Sequence, residues 1–294
     1  MGLAFLWRTQ GVAFKHGRSG PWPDGEPGHR HRSCGMGEAD VARLEVAGVE
    51  VRFGGVVALR GVDLSVDEGT VTGLIGPNGA GKTTLFNVVT GLQKANQGDI
   101  RLEGQDIGHL PPHRRARLGI ARTFQRLEVF GSLTVRENIL VAAEIRRRWA
   151  RDGSNPRRVA DEIIALVGLG PVARVRCDTL PTGMARLVEV GRALATRPKV
   201  LLLDEPSSGL DDQETDDLGA LLCRLAEQGT AVLLVEHDVE LVMSVCARIH
   251  VLDFGRILAV GTPAEIQADP DVRAAYLGTE EPESGEPEVA SVLV

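Results

Sequence analysis

The chain has 294 residues with 33 basic and 40 acidic side chains, a net charge of −7, and 43% hydrophobic but only 4% aromatic residues. This length and apolar content are enough to bury a large core, which excludes disorder over the whole chain, and the charge argues against a protein that coats nucleic acid. No apolar run approaches the ~20 residues that a membrane-spanning helix needs. The four cysteines show no CxxC spacing, so we expect no zinc site and a reducing, cytoplasmic environment.

The first 37 residues differ in composition from the rest of the chain. They contain eight glycines, three prolines, two of the three tryptophans and three of the seven histidines, without a helical or strand period. We predict a disordered or wrongly assigned N-terminal extension over residues 1–37, with Met36 as the natural initiator. The other end, residues 279–294, carries five glutamates and no basic residue and is predicted to be an acidic disordered tail.

Between these ends, short apolar runs bounded by glycine predict strands. The predicted strands are 44–51, 62–66, 71–75 and 100–102, and continuous apolar runs at 200–203 and 231–235 are typical of strands buried on both faces. Helical spacing at 215–228 and 239–245 then predicts an α/β domain. Residues 121–180 are rich in helix formers and predict a helical insert, with a break at 152–156.

Arginines are concentrated around the start of this insert. Residues 114–151 contain ten arginines and three glutamates, a local balance of +7 in an acidic protein. This pattern is typical of a solvated helical face, and it is also compatible with contact to anionic lipid headgroups.

A glycine-rich loop joins the strand predicted at 71–75 to a helical segment. It has the spacing G-x-x-x-x-G-K-[ST] in the strand, loop and helix context that this phosphate-binding motif requires. Glycines let backbone N–H groups approach a phosphate, and the helix N-terminus adds partial positive charge. We expect Lys82 to reach the β- and γ-phosphates and Thr83 to hold Mg²⁺. The predicted nucleotide-binding residues here are Gly76, Pro77, Asn78, Gly79, Ala80, Gly81, Lys82, Thr83 and Thr84.

Two adjacent carboxylates follow the predicted strand at 200–203. Asp204 is expected to bind the water shell of the metal at the carboxyl edge of the strand. Glu205 is expected to point the other way along the pleat, where it would polarise the attacking water. With the glycine-rich loop upstream, this pair predicts nucleoside triphosphate hydrolysis.

Six separated features follow one another along the chain. They are the loop at 76–83, Gln125 in Arg122-Thr123-Phe124-Gln125, a signature loop Leu180-Pro181-Thr182-Gly183-Met184, Asp204-Glu205, Ser208-Gly209-Leu210-Asp211 and Glu236-His237-Asp238. Over about residues 42–278, this series resembles the nucleotide-binding subunit of ABC transporters. The resemblance implies an α/β fold with a P-loop NTPase (RecA-like) core, an antiparallel β subdomain and a helical insert subdomain, with ATP and Mg²⁺ as ligands.

The resemblance also implies roles for residues outside the glycine-rich loop. Phe53 would stack on adenine, Gln125 would link Mg²⁺ and the water to the insert, and His237 would contact the γ-phosphate. Asp211 would belong to a loop that faces a partner subunit. The implied catalytic residues are Glu205, His237, Gln125 and Lys82, the implied metal ligands are Thr83, Gln125 and Asp204, and Thr182 and Gly183 are further nucleotide contacts.

Finer features resemble the importer branch for branched-chain, or hydrophobic, amino acids. They are residues 118–125 followed by Leu133-Thr134-Val135-Arg136-Glu137-Asn138, and the segments Gly261-Thr262-Pro263 and 271–278 near the C-terminus. The lipopolysaccharide-export ATPase shares much of the C-terminal pattern and is the alternative. A non-transport ABC ATPase is a further alternative, although such proteins usually have two cassettes or a long coiled-coil insert, and a small-molecule kinase would need an acceptor pocket and lid.

The signature loop departs from the family pattern Leu-Ser-Gly-Gly-Gln. Pro181 replaces the serine that would hold the γ-phosphate of the opposite subunit's ATP, and proline offers neither a hydroxyl nor a backbone donor. The next residue, Thr182, carries a hydroxyl that could take the place of the missing serine hydroxyl. The hypothesis is therefore an asymmetric, mixed dimer in which this chain hydrolyses ATP in its own glycine-rich loop with the partner's signature loop.

The resemblance predicts an ABC ATPase domain over residues 38–278 with its helical insert at about 121–180. It implies partners: integral-membrane permease subunits, a second ATPase subunit in a homo- or heterodimer, and indirectly an extracytoplasmic solute-binding protein, without nucleic acid. We expect the subunit to lie at the cytoplasmic face of the cell membrane.

Overall fold

The computed structural model describes residues 42–274. The extension predicted at 1–37 and the tail predicted at 279–294 lie outside these residues. The strands are β1 Ala42–Phe53, β2 Val56–Asp67, β3 Val71–Ile75, β4 Gln97–Leu102, β5 Gln105–Asp106, β6 Ile120–Arg122, β7 Val200–Asp204, β8 Ala231–Val235, β9 Arg248–Asp253 and β10 Arg256–Gly261. The α-helices are α1 Lys82–Thr90, α2 Pro112–Leu118, α3 Val135–Ala150, α4 Pro156–Leu166, α5 Thr182–Leu194, α6 Asp212–Glu227, α7 Val239–Val245, α8 Pro263–Ala268 and α9 Pro270–Val272.

The smaller sheet is antiparallel, with the strand order β2-β1-β4-β5. Its first two strands form a hairpin of 12 residues each, longer than the apolar runs predicted, because the pairing continues through polar positions that face solvent. Apolar side chains on one face of this sheet pack on helix α1 and on the second sheet in a common core. The predicted antiparallel β subdomain is confirmed.

The larger sheet has the order β10-β9-β3-β8-β7-β6, and its pairs from β9 to β6 are parallel. All five residues of β3, β7 and β8 are buried, as predicted from their continuous apolar runs. Because neighbouring parallel strands run in the same direction, the loops after β3, β7 and β8 leave the sheet at one edge. This edge carries most of the predicted site residues.

The last two strands of this sheet were not predicted. Strand β9 contains Arg248, His250 and Asp253 among its apolar residues, and β10 is an edge strand whose residues alternate between exposed and half-buried. Neither strand has the uninterrupted apolar run by which β7 and β8 were recognised. Their pairing with each other and with β3 depends on contacts distant in sequence.

Helices α3, α4 and α5 pack against one another beside the larger sheet. The predicted break corresponds to the residues between the end of α3 and the start of α4. Helix α3 begins with a capping box in which Thr134 and Glu137 satisfy each other's backbone N–H groups. The domain limits 38–278 and 121–180 stay a prediction. Over residues 42–274, no helix is both long and apolar enough to cross a membrane.

Candidate active site

The glycine-rich loop follows β3. Two of its glycines lie so close to neighbouring backbone that a side chain would not fit. Gly76 has φ of 152°, and a Cβ atom there would lie 1.9 Å from the carbonyl oxygen of Leu252. A Cβ on Gly81, which has φ of 114°, would lie 2.9 Å from the carbonyl oxygen of Ala58. Only glycine fits these two positions, because both the backbone conformation and the space exclude a side chain.

Helix α1 begins directly after this loop with an open N-terminus. Its cap residue, Gly81, makes no side-chain capping hydrogen bond, and the first turn contains no acidic residue. The first backbone N–H groups of a helix have no intrahelical acceptor, and they carry the positive end of the helix dipole. A phosphate is the ligand that such an uncapped, glycine-flanked terminus fits.

Lys82 is buried and points back over the loop. Its Nζ donates to the carbonyl oxygens of Gly76, at 2.6 Å, and Pro77, at 3.1 Å. Burial lowers the pKa of this lysine, and the nearby carboxylates of Glu205 and Asp204 oppose the shift. The ammonium group is therefore held by the loop and lies within electrostatic reach of the two carboxylates.

The two carboxylates are positioned by the end of β7. Asp204 is the last residue of the strand, whereas Glu205 has φ of 51° and its N–H donates to the carbonyl oxygen of Val235 at 2.9 Å. The prediction that Glu205 continues the alternation of the pleat is wrong, because this left-handed turn ends the strand. Both carboxylates line one cavity.

Glu205 is held by two residues from other loops. Its Oε1 accepts a hydrogen bond from Nε2 of Gln125 at 3.2 Å and lies 3.0 Å from Nε2 of His237. Gln125 follows β6, and His237 follows β8. The structure therefore brings together three residues of the predicted catalytic set.

Glu236, next to His237, has a different position. It is buried, and its carboxylate accepts from the backbone N–H of Ser207 at 2.7 Å and of His237 at 3.2 Å. Burial raises the pKa of Glu236. The sequence motif Glu236-His237-Asp238 suggested no role for Glu236, but its contacts tie the loop after β7 to the loop after β8.

The cavity at this edge has a volume of about 280 Å³. It is lined by Asn78, Gly79, Ala80, Gly81, Lys82, Thr83, Thr84, Gln125, Asp204, Glu205 and His237, all predicted, and by Ala58 and Val235, which sequence analysis missed. Ala58 and Val235 carry no functional group by which the sequence would reveal them. Gly76 and Pro77 contact the site through Lys82.

Besides Gly76 and Pro77, four predicted residues do not line this cavity: Phe53, Thr182, Gly183 and Asp211. Phe53 is half exposed near the tip of the β1–β2 hairpin. Asp211 caps helix α6 through a reciprocal pair of hydrogen bonds with Glu214. Their predicted roles concern adenine or a second subunit, so they stay predictions.

The signature loop precedes helix α5. Pro181 occupies the N-cap position, and no side chain caps this helix. Gly183 lies against the loop before α6, where a Cβ atom would meet the carbonyl oxygen of Gly209 at 2.5 Å. The signature loop and the loop that contains Asp211 therefore pack directly on each other.

Helix α5 also holds the segment around Gln125. The guanidinium of Arg186 donates to the carbonyl oxygens of Phe124, at 2.7 Å, and of Gln125. Glu189 accepts from the backbone N–H of Glu128 at 2.6 Å, and burial raises its pKa. These contacts, which no sequence motif predicted, connect helix α5 to the segment that carries Gln125.

The cavity contains oxygen ligands that suit a divalent cation, and a bound phosphate could ligate the same cation. Asp204 and Thr83 both line the cavity. Among residues 42–274, no group of three or more His, Cys, Asp or Glu side chains is arranged to hold a metal ion. Mg²⁺ needs only one or two protein ligands, because waters and substrate phosphates complete its shell.

Comparisons with known proteins give the family. The ABC transporter model matches residues 59–208, and the model of the branched-chain amino acid ATP-binding cassette transporter matches residues 256–282. The high-affinity branched-chain amino acid transport ATP-binding protein BraF of Pseudomonas aeruginosa is 44% identical over 248 residues, which are 80% of this chain and 97% of BraF. The corresponding protein LivG of Escherichia coli is 40% identical over the same shares. The lipopolysaccharide export system ATP-binding protein LptB of Haemophilus influenzae is 39% identical over 74% of this chain and 89% of LptB.

Solved structures agree with these relatives. A nucleotide-free ATP-binding cassette from an ABC transporter is 31% identical, with a TM-score of 0.73 over 80% of this chain and 99% of that chain. A cassette in its ADP conformation is also 31% identical, with a TM-score of 0.71 over 81% and 99%. A dimeric cassette bound to ADP and Pi is 26% identical, with a TM-score of 0.68 over 75% and 98%. The predicted fold class is confirmed, and the chain belongs to the ABC transporter family as an ATP-binding subunit.

Proposed function

We propose that the chain is the ATP-hydrolysing subunit of an ABC importer and powers the uptake of branched-chain or other hydrophobic amino acids. The observation that carries this proposal is the meeting of Lys82, Asp204 and Glu205 at one cavity. Lys82 and the open N-terminus of α1 supply positive charge on one side of this cavity. On the other side, Glu205 supplies a proton acceptor.

In this proposal, Lys82 binds the β- and γ-phosphates, and the backbone N–H groups at the start of α1 bind the phosphate oxygens. Thr83, Asp204 and Gln125 would hold Mg²⁺ directly or through water. When bound, Mg²⁺ neutralises charge that develops on the phosphate oxygens. Asp204 suits this role because it is almost fully buried and so has a fixed position.

Glu205 is the proposed general base. Its carboxylate accepts a proton from the attacking water, and His237 and Gln125 fix the direction of that carboxylate through Oε1. His237 is 44% exposed, which leaves its ring accessible from the cavity for contact with the γ-phosphate. In this proposal, Glu205 accepts the proton, whereas a different residue, Lys82, binds the phosphates.

The remaining predicted residues suit a dimer around ATP. Phe53, exposed on the hairpin, would stack on adenine, whereas Thr182, Gly183 and Asp211 would face the partner subunit's nucleotide. Because the signature loop and the loop before α6 pack on each other, a partner that contacts one of them also contacts the other. The partner is a second ATPase subunit, either identical or different.

The proposed assembly places this subunit at the cytoplasmic face of the membrane, bound to integral permease subunits. An extracytoplasmic solute-binding protein would act indirectly, by delivering the solute to the permeases. Nucleic acid is not a proposed partner. The match of residues 256–282 to the branched-chain model favours the amino-acid importer over lipopolysaccharide export.

Uptake measurements test the proposal. Cells that lack the gene should lose high-affinity uptake of radiolabelled leucine, isoleucine and valine, and the wild-type gene should restore it while Glu205→Gln should not. Affinity purification of the wild-type subunit and of Glu205→Gln should recover the permease subunits equally well. Unchanged amino-acid uptake together with accumulation of lipopolysaccharide at the inner membrane would instead support the alternative function.

A further inference from the structure

Arg122, the last residue of β6, forms an ion pair with Asp204. Its Nη2 lies 3.0 Å from Oδ2 of Asp204, and the two side chains are only 5% and 3% exposed. A buried ion pair depends on good geometry, because neither charge is compensated by water. No role for Arg122 follows from the nucleotide contacts described above.

The guanidinium of Arg122 is fixed on several sides. Nη1 donates to Oδ1 of Asn87 at 2.6 Å, and Nε donates to the carbonyl oxygen of Thr123 at 3.2 Å. The guanidinium carbon lies 5.2 Å from the ring centroid of Phe86 and 4.9 Å from that of Phe124. A planar fork held by hydrogen bonds and aromatic rings has one orientation, which a lysine cannot reproduce.

The residue after Arg122 holds the backbone of Asp204. The N–H of Asp204 donates to Oγ1 of Thr123 at 3.1 Å, while Arg122 holds the carboxylate. Two consecutive residues of one segment thus fix both the backbone and the side chain of Asp204. One carboxylate oxygen, Oδ2, is engaged by Arg122, and Asp204 lines the nucleotide cavity.

Arg122 also reaches a second cavity. This cavity, of about 370 Å³, is lined by Arg122, Thr123 and Phe124 and by residues that include members of helices α2, α3 and α5. Phe124 is 39% exposed. Arg122 therefore makes contacts at both cavities, through Asp204 on one side and Phe124 on the other.

We propose that Arg122 is a positioning residue of the nucleotide site, which orients the Asp204 carboxylate for the divalent cation. This inference rests on the proposed function, in which Asp204 contributes to the Mg²⁺ site. Arg122 itself does not line the nucleotide cavity. Groups that orient a metal-binding carboxylate commonly change metal affinity by about 10–100-fold when they are removed.

Binding of Mn²⁺ as the probe for the metal site tests the proposal without relying on hydrolysis. Mn²⁺ is titrated into the full chain in the presence of a non-hydrolysable ATP analogue. Electron paramagnetic resonance measures the free and the bound Mn²⁺. Arg122→Gln should weaken Mn²⁺ binding by about 10–100-fold, and Arg122→Lys should restore only part of it. Asn87→Ala, which removes a support of Arg122 at a residue outside the cavity lining, should give a smaller weakening in the same direction.

Arg115 offers a matched control. It is also buried, at 3% exposed, but within residues 42–274 its guanidinium donates to backbone carbonyl oxygens and to no side chain; the acceptors include Val88 and Val89. Arg115→Lys should lower the unfolding temperature without changing Mn²⁺ affinity. Analogue binding without metal should be the same in the wild type and in Arg122→Gln, because Lys82 and the glycine-rich loop are unaltered.

The outcomes separate this inference from the proposed function. Equal or tighter Mn²⁺ binding by Arg122→Gln overturns the positioning role while leaving the metal site in place. Failure of the wild type to bind Mn²⁺ with the analogue overturns the metal site itself. If Arg122→Gln does not fold, the test uses Arg122→Lys and Asn87→Ala instead. Unchanged Mn²⁺ affinity in both variants overturns the positioning role.

Discussion

Nε2 of His237 lies 3.0 Å from Oε1 of Glu205, and the same oxygen accepts a hydrogen bond from Gln125. The two partners come from loops after different strands of the larger sheet. The carboxylate of Glu205 is therefore oriented from two directions, although its own backbone has left the strand. This arrangement leaves the other carboxylate oxygen, Oε2, without these two contacts.

Replacement of Glu205 by glutamine should separate hydrolysis from binding. Glutamine has a similar shape but cannot accept the proton, so the rate of ATP hydrolysis should fall by about 10²–10⁴-fold. Nucleotide affinity should stay within about twofold, because Lys82 and the glycine-rich loop are unaltered. The exposed Glu227, changed to glutamine, is the matched control. A variant that hydrolyses ATP at the wild-type rate would contradict the assignment of Glu205 as the base.

Lys82→Ala should weaken ATP binding itself. A hydrogen bond to a charged group contributes about 1.5–3 kcal/mol, which corresponds to an affinity loss of about 10–150-fold. Calorimetric titration with ATP measures the loss, and the exposed Lys94 changed to alanine is the control. Unchanged affinity in Lys82→Ala would remove this lysine from the phosphate site.

The asymmetry expected from Pro181 can be measured in a mixed dimer. If the partner ATPase has a complete signature loop, the site on this chain is completed normally, whereas the partner's site lacks the serine hydroxyl. Glu205→Gln should then remove most of the turnover, and the equivalent Glu→Gln change in the partner should remove much less. Equal losses from the two substitutions would contradict the asymmetric arrangement.

Gly76→Ala should destabilise the fold. The new Cβ would lie 1.9 Å from the carbonyl oxygen of Leu252, and φ of 152° is unfavourable for alanine. We expect the free energy of unfolding to fall by about 1–3 kcal/mol or more. Gly170→Ala, where a Cβ atom would meet nothing within 4 Å, is the control. Urea denaturation of both variants measures the difference, and equal stabilities would contradict the close approach.

His250 should make stability depend on pH. Burial, together with nearby Arg248, lowers the pKa of His250 from 6.5 to about 4 in the folded chain. Between pH 6.5 and 4, the unfolded chain takes up a proton that folded His250 does not, so the free energy of unfolding falls by up to about 3 kcal/mol. Above pH 6.5, His250 is neutral in both states and the contribution disappears.

Comparison with His250→Leu isolates this contribution from that of other titrating groups. The stability difference between variant and wild type should shift in favour of the variant as the pH is lowered from 7 to 5. Urea denaturation at both pH values measures it. Stability curves that stay parallel from pH 7 to 5 would show that His250 does not contribute.

The sequence by itself determined the phosphate loop and the buried strands of the larger sheet. The glycine-rich loop is recognisable because its chemistry uses consecutive backbone N–H groups, so all of its parts are neighbours in the chain. Strands β7 and β8 are recognisable because burial on both faces requires uninterrupted apolar runs. Both signals are local and need no knowledge of packing.

Only the tertiary structure decided which distant side chains meet. Gln125 and Glu205 are 80 residues apart, and Arg122 and Asp204 are 82 apart, so no local spacing reveals either contact. The arginine-rich segment predicted a solvated face, yet Arg115 and Arg122 are buried within it. The local sequence does not show whether an arginine is exposed or buried, because its burial depends on elements that fold against it from elsewhere in the chain.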